Sequence, residues 1–112
     1  MTLRFSKTYA PFDPHEVKDY TRDWSNELSA VSDSIAAVGD VTFTPDAAAT
    51  AAGLEIALTQ LDGAKAIMWL RAADPDALLA ALGEQWASVD HTVRTVGGRT
   101  LNETLQVWIA AK

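Results

Sequence analysis

The amino-acid sequence predicts an all-β domain, either a sandwich or a small barrel, and three observations carry that prediction. Ala87 to Ala110 holds the clearest two-residue period in the chain. Leu61-Asp62-Gly63-Ala64 is a strong hairpin signal. Short apolar runs separated by turn residues recur at roughly ten-residue spacing, as they do in sandwiches and small barrels.

Taken in order, Thr2 to Tyr9 alternates weakly, with Leu3 and Phe5 against Arg4 and Ser6, which fits an edge strand or an arm reaching to a partner. Pro11 and Pro14 bracket Phe12-Asp13 and oppose a continuous helix or strand, so the plain reading there is a hinge or extended linker. The division is then an N-terminal arm, residues 1–14, and a domain, residues 15–112. Val17 to Ser25 fits two periods. An extended chain puts Tyr20, Arg22 and Trp24 on one side, whereas a helix aligns Val17, Tyr20, Trp24 and Leu28. After the turn-like Ser29 to Ser34, Ile35 to Val38 and Val41 to Thr44 read as strand, bulge and strand. Asp46 to Ala52 is alanine-rich but too short to hold a helix without tertiary support, so a loop with a single helical turn is expected.

Leu54 to Leu58 alternates and is a strand. Asp62-Gly63 suits the two positive φ values of a type I′ turn. Ala64 to Leu70 is apolar on both faces apart from Lys65, which predicts a strand inside a sheet with both sides covered. Asp74-Pro75 pairs an N-cap with a proline at the first helical position, and Leu78, Leu79, Leu82 and Trp86 fall at helical spacing until Gly83 interrupts. A short helix over Pro75 to Leu82 covering one end of a sheet is expected. In the last hairpin Leu101, Leu105, Val107 and Ile109 share one face, and Thr100, Asn102, Thr104, Gln106 and Trp108 share the other. For Val89 and Val93 to face the same core as Leu105 and Val107, opposed residues must have numbers summing to an even value. That excludes a two-residue loop at Gly97-Gly98 and predicts an odd loop of three or five residues, or a bulge with a glycine at positive φ.

Composition narrows the function. A chain of 112 residues is one domain, with room for a single core but not for a large enclosed cleft as well. No apolar run approaches the ~20 residues of a membrane span, so no membrane partner is expected. The net charge of −6 and the lack of any basic run argue against nucleic acid. Without cysteine there is no disulfide, thiol catalysis or thiolate metal site, which fits a reducing compartment. The first ten residues lack the apolar core of a secretion signal.

No catalytic, cofactor-binding or metal-binding set stands out. Asp13, Glu16, Asp19 and Asp23 beside His15 have neither calcium-loop nor zinc spacing and read as a solvated acidic face. His91 lies on the inward row of its strand, where a core histidine bonded to a neighbour is expected rather than a general base. Serine, histidine and aspartate occur without a nucleophile turn, and Gly97-Gly98 opens no helix that could cradle a phosphate. The four tryptophans are more informative. Trp24 and Trp69 sit among apolar neighbours and read as core, whereas Trp86 and Trp108 fall on the outward rows of adjoining strands and suggest either a contact surface or a minor core beneath the 75–82 segment.

The order of short motifs resembles a known family. Asp19-Tyr20-Thr21-Arg22-Asp23-Trp24-Ser25, Asp33-Ser34-Ile35, Val41-Thr42-Phe43-Thr44, Gly53-Leu54-Glu55-Ile56, Met68-Trp69-Leu70 and Thr95-Val96-Gly97-Gly98-Arg99-Thr100 look like the bacteriophage fiber-tail adaptor proteins over residues 15 to 110. The chain departs from that pattern by a longer insertion at 74–85 and two extra residues near Gly39-Asp40. The resemblance implies an immunoglobulin-like β-sandwich carrying one short helical insertion. It also implies a non-enzymatic virion protein of the neck or tail, made in the host cytoplasm, that joins fibres to the tail or connector and meets portal, tail or fibre proteins. Exposed strand edges and an outward aromatic patch suit such contacts, which a symmetric ring would repeat in multiple copies. The expected interface residues are Phe5, Tyr9 and Phe12 of the arm with Trp86 and Trp108 of the patch, and no cofactor is expected. A competing reading is an immunoglobulin-like module that binds a carbohydrate or host surface, with Asn102 and Gln106 beside Trp108; a small enzyme is the weakest class.

Overall fold

The computed structural model describes the backbone of residues 2–111 and the side chains of residues 11–111. Its strands are β1 (Thr2–Phe12), β2 (Lys18–Asp23), β3 (Val41–Pro45), β4 (Leu54–Asp62), β5 (Lys65–Ala72), β6 (Gln85–Arg94) and β7 (Thr100–Ile109). Three short helices, α1 (Ser25–Ser29), α2 (Ala47–Ala52) and α3 (Pro75–Leu82), lie between them, so two helical segments add to the one expected insertion.

Strict alternation makes β6 and β7 the floor of the core. Ala87, Val89, His91 and Val93 are buried on β6, and Leu101, Glu103, Leu105, Val107 and Ile109 are buried on β7. Arg94 pairs with Thr100, so the loop is residues 95–99 and every opposed pair sums to an even number, as the face assignment requires. Gly98, at φ 83°, supplies the left-handed residue that closes it.

Two sheets pack face to face. One has the order β1-β7-β6-β3 and the other β2-β5-β4; every pairing is antiparallel except β1 with β7. The second, fifth and fourth strands thus oppose the third, sixth and seventh, which is the immunoglobulin-like arrangement, with the first strand placed beside the last. In antibody domains a disulfide joins the second and sixth strands beneath an aromatic residue of the third. Here Trp24 Nε1, just past β2, donates to His91 Nε2 of β6 at 3.0 Å. Phe43 of β3 stacks on the imidazole at 4.2 Å between centroids. A polar and aromatic pin stands where a disulfide would.

Several local expectations are corrected. Pro11 does not end β1, which continues to Phe12 with a shift of register after Tyr9; an edge strand tolerates proline because its missing N–H faces no partner. Val17 to Ser25 follows the extended period, as β2 with Tyr20 and Arg22 buried on one side; α1 begins only at Ser25, so the helical alignment of Val17, Tyr20, Trp24 and Leu28 does not form. Ile35 to Ala37 forms no strand: Asp33 and Ser34 are held to the 95–99 loop, Ser34 O accepting from Val96 N at 2.9 Å, and a 3₁₀ turn at Val38–Asp40 leads into β3. Asp46 to Ala52 is a true helix, because the Asp46 carboxylate accepts from Ala49 N at 2.7 Å, Gly53 ends it at φ 98°, and Ala49 is buried. The β4–β5 turn falls one residue later than expected: Asp62 pairs with Lys65 and only Gly63, at φ 59°, has a positive φ, so it is a II′-like turn. β5 is central, but only Ala66, Met68 and Leu70 are buried; Ile67 and Trp69 lie half-buried on the outer face. Trp69 is therefore not core, and its indole donates to Gln60 Oε1 at 2.8 Å. α3 spans Pro75 to Leu82 as expected, with the Asp74 side chain accepting from Ala77 N and Leu78 fully buried.

Candidate interaction surface

The outward row of the four-stranded sheet carries the aromatic patch. Trp86 and Trp108 are direct register partners on β6 and β7. Their rings meet edge to face at 5.2 Å and 69°, which pairs the positive edge of one ring with the negative face of the other. Trp86 remains 48% exposed, so its indole is the largest side chain left open at this end of the molecule. The segment behind it is fixed. Glu84 N donates to Ile109 O at 2.6 Å as the chain leaves α3, and Glu84 itself takes a left-handed φ of 55° to turn into β6. On the far side of Trp108 lies β1, whose register shift between Tyr9 and Phe12 faces this part of β7.

The chain end around the patch is acidic. His15 bridges Asp13 Oδ1 at 2.9 Å and Asp76 Oδ1 at 3.2 Å, tying the turn before β2 to α3. Those two carboxylates raise the His15 pKa. Asp46 and Asp74 are spent as the caps of α2 and α3. Among the described residues no group of histidine and carboxylates could hold a metal ion.

The opposite end gathers the 95–99 loop, α1 and the β4–β5 turn. Asp33 accepts from Gly97 N at 2.8 Å, Ser34 N at 2.8 Å and Arg99 Nη1 at 2.9 Å. Its carboxylate is held well below the usual range, first by the Thr95 hydroxyl and then by these donors. An open groove of about 380 Å³ lies beside it, floored by Leu28, Ile35 and Ala64.

Between the two ends the sheets share a buried ion cluster. Arg22 Nε of β2 donates to both Glu103 oxygens of β7 at 2.9 Å, and Nη2 reaches Glu27 Oε1 at 3.1 Å. The guanidinium lies 3.9 Å from the Trp24 ring. This cluster escaped the sequence reading, although its signal was present: Glu103 falls on the same inward row as Leu101 and Leu105, and a carboxylate there demands a cation. His91 beside it meets the expectation of a bonded core histidine, with Nδ1 against Thr42 O at 3.0 Å; burial pushes its pKa down to about 4.

The five expected interface residues fare differently. Trp86 and Trp108 come together at the surface. Phe12 is fully buried, because it lies where the first strand joins the core and its carbonyl accepts from Ala110 N at 3.1 Å; it is no surface contact in the isolated chain. Phe5 and Tyr9 have backbones in β1 opposite Glu103 and Val107, and their side chains lie outside the described residues. Asn102, one of the carboxamides a sugar would need, spends its amide hydrogens on Asp90, Thr92 and the His91 carbonyl. No helix among the described residues is long and apolar enough to cross a membrane. Neither a curated protein nor a solved structure matches this chain. One family model does, over residues 13–108: Podophage GP4 fiber-tail adaptor protein gp77.

Proposed function

Since this chain belongs to the podophage fiber-tail adaptor family, a family of phage tail structural proteins, we propose that it joins fibres to the tail or connector at the virion neck. Its contacts are the N-terminal arm, residues 1–14, and the Trp86–Trp108 face, repeated from copy to copy around an axis. The observation that carries this reading is the family match across most of the chain. The exposed, edge-to-face tryptophan pair supports the choice of face, because large apolar surface left open on a small sandwich is a liability unless a partner covers it. A ring of such contacts gains strength from their number, so each can be weak alone.

The test is phage assembly with Trp86→Ser and Trp108→Ser together. The double variant is expected to fold, with an unchanged far-ultraviolet circular dichroism spectrum, and to be depleted from purified particles at least tenfold. Full incorporation would remove the tryptophan face from the reading.

A further inference from the structure

β1 is an edge strand that joins the sandwich through a single neighbour. Its pairing is with β7 alone, each partner of residues 2–9 lying 98 residues away along the chain, as Thr2 with Thr100 and Ser6 with Thr104. Among the described side chains, the strand is tied to the body at its C-terminal end, where Phe12 is buried, Ala110 N donates to Phe12 O, and the Tyr20 hydroxyl reaches Pro11 O at 3.4 Å. Just before those ties the register breaks between Tyr9 and Phe12, at Ala10-Pro11, so a natural hinge separates residues 2–9 from the anchored part.

We propose that residues 2–9 are an exchangeable strand, and that the occupant of the β7 edge in the assembled state is this strand from a second copy of the chain. The exchange keeps every backbone hydrogen bond of the closed form, since the incoming strand meets the same β7 in the same register. Reach permits it. Residues 2–9 extend about 26 Å at ~3.3 Å each, enough to cover the β7 edge of a neighbour from Thr100 to Val107. Charge favours it as well. Residues 2–10 hold Arg4 and Lys7 and no acid, leaving seven of the nine basic residues and all fifteen acidic ones in the remainder. Two bodies repel each other, whereas an arm is attracted to any body. A β7 edge vacated by its own strand exposes a row of backbone donors and acceptors that templates the addition of another strand, so each departure favours recruitment of a neighbour. The hinge also borders Trp108, which places a neighbouring body beside the aromatic pair.

The proposal deepens the reading of residues 1–14 as a contact arm, but its test needs no virion, so its failure and the failure of the adaptor reading are separable. The natural absence of cysteine makes disulfide trapping clean. Ser6 and Thr104 are register partners on adjacent strands, within disulfide range. A chain carrying both Ser6→Cys and Thr104→Cys reports the pairing itself and is expected to cross-link. Separately purified Ser6→Cys and Thr104→Cys chains, mixed at high concentration and oxidised, are then expected to give a mixed covalent dimer. Its yield should rise with concentration and exceed by several-fold that of Ser6→Cys mixed with the exposed Thr44→Cys. A double variant that closes only within one chain, with no mixed dimer above the Thr44→Cys control, would overturn the exchange. Failure of the double variant to cross-link at all would overturn the pairing on which it rests.

Discussion

His91 sits fully buried among aromatic rings, accepting a hydrogen bond from Trp24 on one nitrogen and facing Thr42 O with the other. That geometry needs the neutral imidazole, because a protonated Nε2 could not accept from the indole. Dehydration disfavours the cation most and Arg22 adds repulsion, against the opposing pull of the Thr42 carbonyl and, more weakly, of Asp90. The folded pKa of about 4 lies below the ordinary 6.5, so the unfolded chain takes up a proton first. The stabilisation is complete above pH 6.5 and is lost as pH falls from there to about 4, by on the order of 3 kcal/mol. Urea unfolding measured through this window should show the decline, and His91→Gln should flatten it. His15 has the opposite sign, its contribution present at low pH and fading as pH rises through its raised pKa.

Caps decide which short segments become helices. Asp46 and Asp74 each accept from the backbone N–H three residues on, but Asp46 also reaches beyond its own helix, with Oδ2 accepting from Ser88 N of β6 at 3.1 Å. Asp74→Ala is therefore expected to cost about 1 kcal/mol and Asp46→Ala about 2 kcal/mol, read from thermal unfolding. The same comparison explains what was legible. Asp74-Pro75 ahead of spaced leucines announces α3 locally, and the Leu101 to Ile109 row announces β7 and the parity of its loop. The caps of α2 were equally visible in Asp46 and Gly53, but what stabilises six residues is burial of Ala49, a tertiary fact. Ile35 to Ala37 failed as a strand for a matching reason, since Asp33 fixes its neighbour to a loop more than sixty residues away. Of the surface, the tryptophan pair was readable from parity alone. Phe12 was not, because two prolines gave no hint that the core lay between them.

At the scale of the whole molecule, the Arg22–Glu103 pair ties the two sheets through the core. Glu103→Ala leaves the guanidinium with Glu27 as its one carboxylate and is expected to cost about 3 kcal/mol in urea unfolding. Removing both charges as Arg22→Met with Glu103→Leu should restore most of that loss, because the cost lies in an uncompensated charge rather than in missing attraction. A full loss in the double variant would show that the pair sets the packing of the layers. The Trp24–His91 pin crosses the same gap and has a consequence for the life of a particle. A phage assembles inside a reducing cell and is released into oxidising surroundings. A sandwich stapled by a disulfide would differ between the two, reduced while being built and oxidised only afterwards. A hydrogen bond between indole and imidazole carries no electrons to gain or lose, so this fold has the same cross-sheet tie on both sides of lysis.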